Sequence, residues 1–124
     1  MIVKVVDASV AAALIFVEDN AEAAAALLAN GVLIAPKLLA YEIANIAVTK
    51  RKREPESAAS IEIGLSYFRK LDISLVDVDH SEVVDLAMRH ALTAYDASYL
   101  WLSPTEKADL LTFDKRLSRA KVSK

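Results

Sequence analysis

Four acidic residues stand where a lone carboxylate is hard to keep. Asp7 closes the apolar run Ile2-Val3-Lys4-Val5-Val6, and Asp114 closes Leu110-Leu111-Thr112-Phe113. Glu42 has Leu38, Leu39, Asn45 and Ile46 three and four places away, which on a helix puts it on the inward stripe. Asp96 has Leu92, Thr93, Tyr99 and Leu100 at the same spacings. An ionised carboxylate in such surroundings costs several kcal/mol unless it is paired or bound to metal. No Arg or Lys occupies the matching inward position near Glu42 or Asp96. The economical arrangement is that all four converge on one divalent cation. Carboxylates without His or Cys select a hard ion, Mg²⁺ or Mn²⁺. The remaining acids, such as Glu18, Asp19, Glu54, Glu82 and Asp85, fall at helix ends or on solvent faces. His80 and His90 are not at metal spacing, and no Ser-His-Asp set is supported.

The elements that must carry these side chains can be read in order. Val and Ile around residues 2–6 form a buried strand, and Ala8 to Phe16 follows as a helix. Asp7 therefore sits where a central strand hands over to its helix, the edge at which open α/β sheets bind ligands. A second helix covers Ala21–Ala29, with Asn20 as its cap and Asn30-Gly31 as its stop. Val32–Ala35 is a short strand. Pro36 opens a third helix at its first turn, which runs to Arg53 and is ended by Pro55. A fourth helix spans Glu56–Leu71, and Ile73–Val78 is a strand. Asp79 caps a fifth helix, with Glu82 completing a capping box. Thr93 caps the helix that holds Asp96. Pro104 interrupts that helix, making Ser103–Lys107 a turn or a short separate helix. Asp109–Thr112 is the last clear strand, Lys115–Ala120 a short helix, and the tail a marginal edge strand. The alternation predicts one α/β domain over residues 1–124 with a mostly parallel sheet of four to five strands.

Composition narrows the function classes. The chain is 55% hydrophobic, above the ordinary 45–50% or so, which leaves room for a buried subunit interface. A net charge of −2 excludes whole-molecule attraction to a polyanion, so any nucleic-acid contact must come from a local basic patch. The chain has no cysteine, so disulfides and Cys-based zinc sites are out. Two glycines are too few for a phosphate-cradling GxGxxG or Walker A loop. No signal-type leader or membrane-length apolar run is seen, and the expectation is a cytoplasmic protein with no membrane association.

Four blocks then fall into a known order. Val5-Val6-Asp7-Ala8-Ser9, Tyr41-Glu42-Ile43-Ala44-Asn45, Tyr95-Asp96-Ala97-Ser98-Tyr99-Leu100 and Leu111-Thr112-Phe113-Asp114-Lys115-Arg116-Leu117 resemble the signature of the PIN-domain ribonucleases, and within them the VapC-type toxins of toxin–antitoxin pairs. The resemblance spans nearly the whole chain. It implies a three-layer α/β/α fold with the first and fourth strands side by side. It also implies an acidic quartet of Asp7, Glu42, Asp96 and Asp114 acting in catalysis and metal binding, with Ser9, Thr112 and Asn45 in support. There are two departures. The family often has a glycine shortly before the Tyr-Asp-Ala block, where this chain has His90-Ala91-Leu92-Thr93-Ala94, and Pro104 breaks the run after Asp96.

The reaction implied is Mg²⁺- or Mn²⁺-dependent hydrolysis of RNA phosphodiester bonds, with a small antitoxin protein and a second copy of the chain as partners. Four clustered acids must also raise at least one of their own pKa values. Lys50, Arg51, Lys52 and Arg53, and Lys115, Arg116, Arg119 and Lys121, are the candidate RNA contacts, Lys50, Arg51, Lys115 and Arg116 foremost. The same cations also suit helix C-termini and solvated faces. Tyr41, Tyr95, Tyr99 and Trp101 are read as base-stacking, core or interface residues. A haloacid-dehalogenase-type phosphotransferase would need a second Asp where Ser9 stands, and a receiver domain would need an early acidic pair. The other readings are a PIN nuclease of RNA maturation outside a toxin pair and an inactive PIN-like scaffold, against which the complete quartet speaks.

Overall fold

The computed structural model describes the backbone of residues 2–105 and 108–123 and the side chains of residues 2–103 and 108–120. Its strands are β1 (Val3–Val6), β2 (Val32–Pro36), β3 (Ile73–Val76) and β4 (Asp109–Leu111). Its helices are α1 (Ala8–Ile15), α2 (Ala21–Leu28), α3 (Leu38–Arg53), α4 (Ala58–Lys70), α5 (His80–His90), α6 (Ala94–Thr105) and α7 (Lys115–Ser123), with a 3-10 turn, Pro55–Ser57, leading into α4.

The strands form one parallel sheet in the order β3-β2-β1-β4. The chain runs outward from β1 to β3 and then returns past β1 to β4. Because parallel crossovers are right-handed, the outward leg lays α1–α4 on one face and the return leg lays α5 and α6 on the other. That is the three-layer arrangement. The reversal puts the switch point between β1 and β4, where Val5 pairs with Leu110 and Val6 with Leu111. The ends of these two strands, which deliver Asp7 and Asp114, are therefore neighbours.

The core is aliphatic: Val5, Val6, Val10, Ile15, Leu39, Ile43, Leu100, Leu102, Leu110 and Leu117 are all buried. Its alanines let helices approach closely. Ala8, Ala11, Ala12 and Ala13 are buried on α1. Against α1, a Cβ on Gly64 of α4 would lie 2.7 Å from the Ile15 carbonyl oxygen. The one charge inside β1 is also explained. Lys4 Nζ donates to the carbonyls of Leu27 (2.8 Å) and Ala29 (2.6 Å), filling acceptors at the end of α2 that have no partner within the helix.

Several boundaries differ from expectation. Pro36 ends β2 instead of opening a helix. The ladder to β1 has already stopped at Ile34, so the missing N–H forfeits no bond there. With β2 finished, β3 stops at Val76, short of Val78. Helix α6 continues through Pro104 to Thr105; a proline in the closing turn disturbs little that follows. Glu106 and Lys107 of the expected turn lie outside the described residues. The tail is not an edge strand: α7 runs to Ser123, and the sheet has four strands among the described residues. Asp79 caps α5 by accepting from the Glu82 N–H at 3.0 Å. Glu82 Oε1, however, accepts from Trp101 Nε1 at 2.8 Å, which ties α5 to α6.

Candidate active site

Asp7 is the most tightly specified of the four acids. It follows β1 at the sheet's centre, is 6% exposed, and caps α1. Its Oδ2 accepts from Ser9 Oγ (2.6 Å), Thr112 Oγ1 (2.8 Å) and the Ser9 N–H (3.4 Å). Each hydroxyl has a single proton and directs it to this oxygen, because each also accepts a backbone N–H. Phe113 N–H donates to Ser9 Oγ at 2.9 Å, and Asp114 N–H to Thr112 Oγ1 at 2.9 Å. The result is a relay from the β4–α7 connection, through two hydroxyls, to one carboxylate. Such bonds to an ionised acceptor are the stronger kind, and they lock the two central strand ends together. Ser9 and Thr112, expected from the sequence as supporting hydroxyls, are thus both placed on Asp7.

Asp114 lies on that connection, three residues past the end of β4, and is exposed. Its Oδ1 accepts from the N–H groups of Arg116 (2.8 Å) and Leu117 (3.2 Å), so it also caps α7.

Glu42 and Asp96 arrive from the helices. Glu42, half-buried on α3, receives the Tyr99 hydroxyl on Oε1 at 2.5 Å. Its pKa is raised, first by burial and then by the charges of Asp7 and Asp96, while the Tyr99 hydrogen bond opposes the shift. Asp96, also half-buried, sits in the first turn of α6, where Thr93 Oγ1 accepts its N–H at 3.1 Å. Burial raises its pKa first, then Asp114 and Asp7; Arg116 and a Thr93 hydrogen bond pull the other way. Asp96 thus has a cation in its field after all, supplied from α7 and not from its own helix. The Tyr99 phenol is pushed far above its ordinary range by burial, by its bond to Glu42 and by the surrounding acids. It remains a donor across any working pH.

The four acids are therefore near enough to act on one another: Glu42 feels Asp7 and Asp96, and Asp96 feels Asp7 and Asp114. They do not close into a ready-made cage. Among the described residues no three His, Cys, Asp or Glu side chains stand in metal-holding geometry, so the convergence is looser than the spacing suggested. The donor set still fits a hard divalent cation. It is all oxygen, and the two helix-borne acids are held in mutual repulsion that a cation would relieve. Mg²⁺ also keeps several waters and takes only one or two carboxylates directly, so a loosely spaced quartet suits it.

Beside Glu42, a cavity of about 430 Å³ is lined by Ala8, Leu38, Tyr41, Glu42, Asn45, Ile46 and Tyr95. Asn45 is exposed on its wall, and Tyr41 and Tyr95 are exposed at its rim. A groove of about 350 Å³ runs from Ser9 and Phe113 past Asn45 and Thr49 to Arg53. Lys50 is already engaged: Nζ pairs with Glu18 at 2.9 Å and lies 5.6 Å from the Phe16 ring centroid. It ties α3 to the end of α1. Arg51, Lys115, Arg116 and Arg119 are exposed; the Lys121 side chain lies outside the described residues. Sequence reasoning missed Tyr99 as the partner of Glu42. The available signal was its place three residues after Asp96, on the same helical face.

Comparison with known proteins agrees with this architecture. Residues 4–122 match the PIN domain family. Ribonuclease VapC3 of Pyrobaculum aerophilum is 32% identical over 119 residues, covering 92% of this chain and 91% of that protein. The crystal structure of PAE2754, also from Pyrobaculum aerophilum, superposes with a TM-score of 0.80 at 25% identity, covering 96% of this chain and 84% of that one.

Proposed function

The chain belongs to the PIN domain family, and from that premise we propose that it is a metal-dependent ribonuclease, the toxin of a toxin–antitoxin pair. The observation that carries the reading is the charge coupling of Asp7, Glu42, Asp96 and Asp114 at one sheet edge, with Asp7 buried and held by two hydroxyls. The likeness to a ribonuclease over most of both chains supports the substrate class.

In this reading Asp7, Asp96 and Asp114 hold the cation directly or through water, and Glu42 holds it or orients the attacking water. When bound, a Mg²⁺ or Mn²⁺ ion supplies acidified water and neutralises charge on the scissile phosphate. The chain's own groups do the rest. Ser9 and Thr112 occupy Oδ2 of Asp7, which leaves Oδ1 for the cation and fixes its direction. Asp114 spends Oδ1 on the α7 cap and has Oδ2 to offer. Arg116, beside Asp96, and Arg51 and Lys115 farther out offset the acidic field against a polyanion and contact phosphates. Asn45 lines the substrate cavity. The remaining partners are a small antitoxin protein and a second copy of the chain, acting in the cytoplasm.

The test is cleavage of single-stranded RNA under Mg²⁺ or Mn²⁺ titration. Activity should appear with the metal and vanish in excess EDTA. It should be lost in Asp7→Asn and Asp96→Asn with circular dichroism unchanged. Undiminished cleavage in EDTA sinks the metal mechanism, and metal-dependent cleavage by Asp7→Asn sinks the site.

A further inference from the structure

Tyr99 carries a hydroxyl that packing does not need. The residue is completely buried on α6, where phenylalanine would fill nearly the same space. A buried phenol requires an acceptor, and the acceptor here is Oε1 of Glu42, reached across from α3 at 2.5 Å. The bond joins two of the acid-bearing elements. Asp96 and Tyr99 share one turn of α6, α6 rests on β1 and β2, and Glu42 comes from the helix after β2. Glutamate is also the acid that most needs holding, because it has one more rotatable bond than aspartate. Three members of the quartet are short aspartates, two of them anchored as helix caps. The one long member is tied by a phenol.

We propose that Tyr99 is a positioning residue that restricts Glu42 to a one-oxygen role. The phenol proton occupies one lone pair of Oε1 and fixes the carboxylate's orientation, while Oε2 carries no such bond from Tyr99. Clasping a cation with both oxygens, as carboxylates do around larger ions such as Ca²⁺, would make Oε1 share its density with the phenol proton and is disfavoured. The chain thereby favours a small ion that keeps its waters. This inference rests on the ribonuclease reading, and its test separates the two.

The full chain is compared as wild type, Tyr99→Phe, Glu42→Gln and the double variant. Mn²⁺ and Ca²⁺ affinities are measured by calorimetry and RNA cleavage under single turnover. Loss of a supporting bond to a metal-site carboxylate costs roughly 10- to 100-fold in activity or affinity. Tyr99→Phe should lower the cleavage rate by about tenfold and shift the affinity ratio toward Ca²⁺. The shift in ion ratio should be much smaller when Tyr99→Phe is added to Glu42→Gln, whose side chain has a single oxygen and so no two-oxygen mode for the phenol to restrict. Equal losses in both backgrounds, or an unchanged rate and ion ratio, overturn the proposal. A second measurement leaves Tyr99 in place. The Cζ carbon resonance of this solvent-shielded tyrosine should move on Mg²⁺ addition in the wild type and stay still in Glu42→Gln; movement in both overturns the proposal even if Tyr99→Phe does not fold. A wild type that binds Mn²⁺ but cuts no RNA sinks the ribonuclease reading and leaves Tyr99 to the binding and resonance arms. One that binds no divalent ion overturns both.

Discussion

Asp114 has two duties that can be separated because only one needs charge. Capping needs an oxygen that accepts from the Arg116 and Leu117 N–H groups; acting on Asp96 needs the negative charge. Asp114→Asn should therefore keep α7 and melt within about 0.5 kcal/mol of wild type, since Asn and Asp cap about equally well. Asp114→Ala should lose about 0.5–2 kcal/mol with the cap. Both should lose metal-dependent cleavage. Melting and cleavage of the pair decide it, and an Asn variant as unstable as the Ala variant would refute the division. Glu42 and Asp96 make a second prediction at this scale. Burial and neighbouring acids raise both pKa values, so the folded chain binds protons more tightly than the unfolded one. Stability must then fall as pH rises from the ordinary carboxylate range through the raised values, and the penalty is complete above them. Thermal melts in EDTA should show Asp96→Asn losing less than wild type over that window, and Mn²⁺ should shrink the wild-type penalty. Superimposed profiles for the two proteins in EDTA would contradict the coupling.

At the scale of elements, the site depends on how closely α1 lies to its neighbours, and Gly64 sets one such approach. Alanine there would gain about 1 kcal/mol in helix propensity. Its Cβ, however, would lie 2.7 Å from the Ile15 carbonyl oxygen and 2.7 and 2.9 Å from the Phe16 ring. A backbone carbonyl cannot swing aside, and overpacking costs about 1–3 kcal/mol. Gly64→Ala should be net destabilising in urea unfolding by about 1 kcal/mol; a stabilised variant would mean that α1 and α4 part without penalty. The order and type of the elements were legible because each carries its own period or cap. The misreadings came from residues whose local preference is shared by two states. Pro36 suits a first helical turn as well as a strand end, and Pro104 in a last turn looks from sequence like an interruption. Ala91 is a related case: it adopts φ 53° after α5, a left-handed helix end that glycine usually takes and that an alanine does not announce. The site was legible where a residue broke a local pattern, as all four acids do. It was not legible where a pairing spans distance. Tyr99's place one turn after Asp96 marks its face of the helix but does not name an acceptor 57 residues away on α3, and nothing near Lys50 announces that Glu18 will hold it.

At the scale of the whole molecule, the high apolar content is only partly used by the core. Val84 and Met88, one helical turn apart on α5, are 54% and 80% exposed. Val84 also lines a cavity of about 340 Å³ with Leu38, Val76, Val78, Val83 and Tyr95. That cavity shares Leu38 and Tyr95 with the one beside Glu42, so a continuous apolar band runs from α5 to the acids. Its polar border includes the exposed Lys37–Asp77 pair at 3.1 Å. A contiguous apolar surface with a polar rim marks an interface, and self-association needs no second gene product to cover it. The expected assembly is a homodimer packed through α5, with the two acidic centres opening beside the shared surface. Met88→Glu places a charge at the most exposed apolar position of the band, where burial against a second copy would cost several kcal/mol. In the isolated chain Met88 touches little, and the substitution should leave the fold and its melting midpoint nearly unchanged. Sedimentation over a range of concentrations should therefore give a dimer for wild type and a monomer for Met88→Glu, both helical by circular dichroism. A wild type that sediments as a monomer at every concentration, or a Met88→Glu dimer as tight as wild type, would remove this face from the assembly.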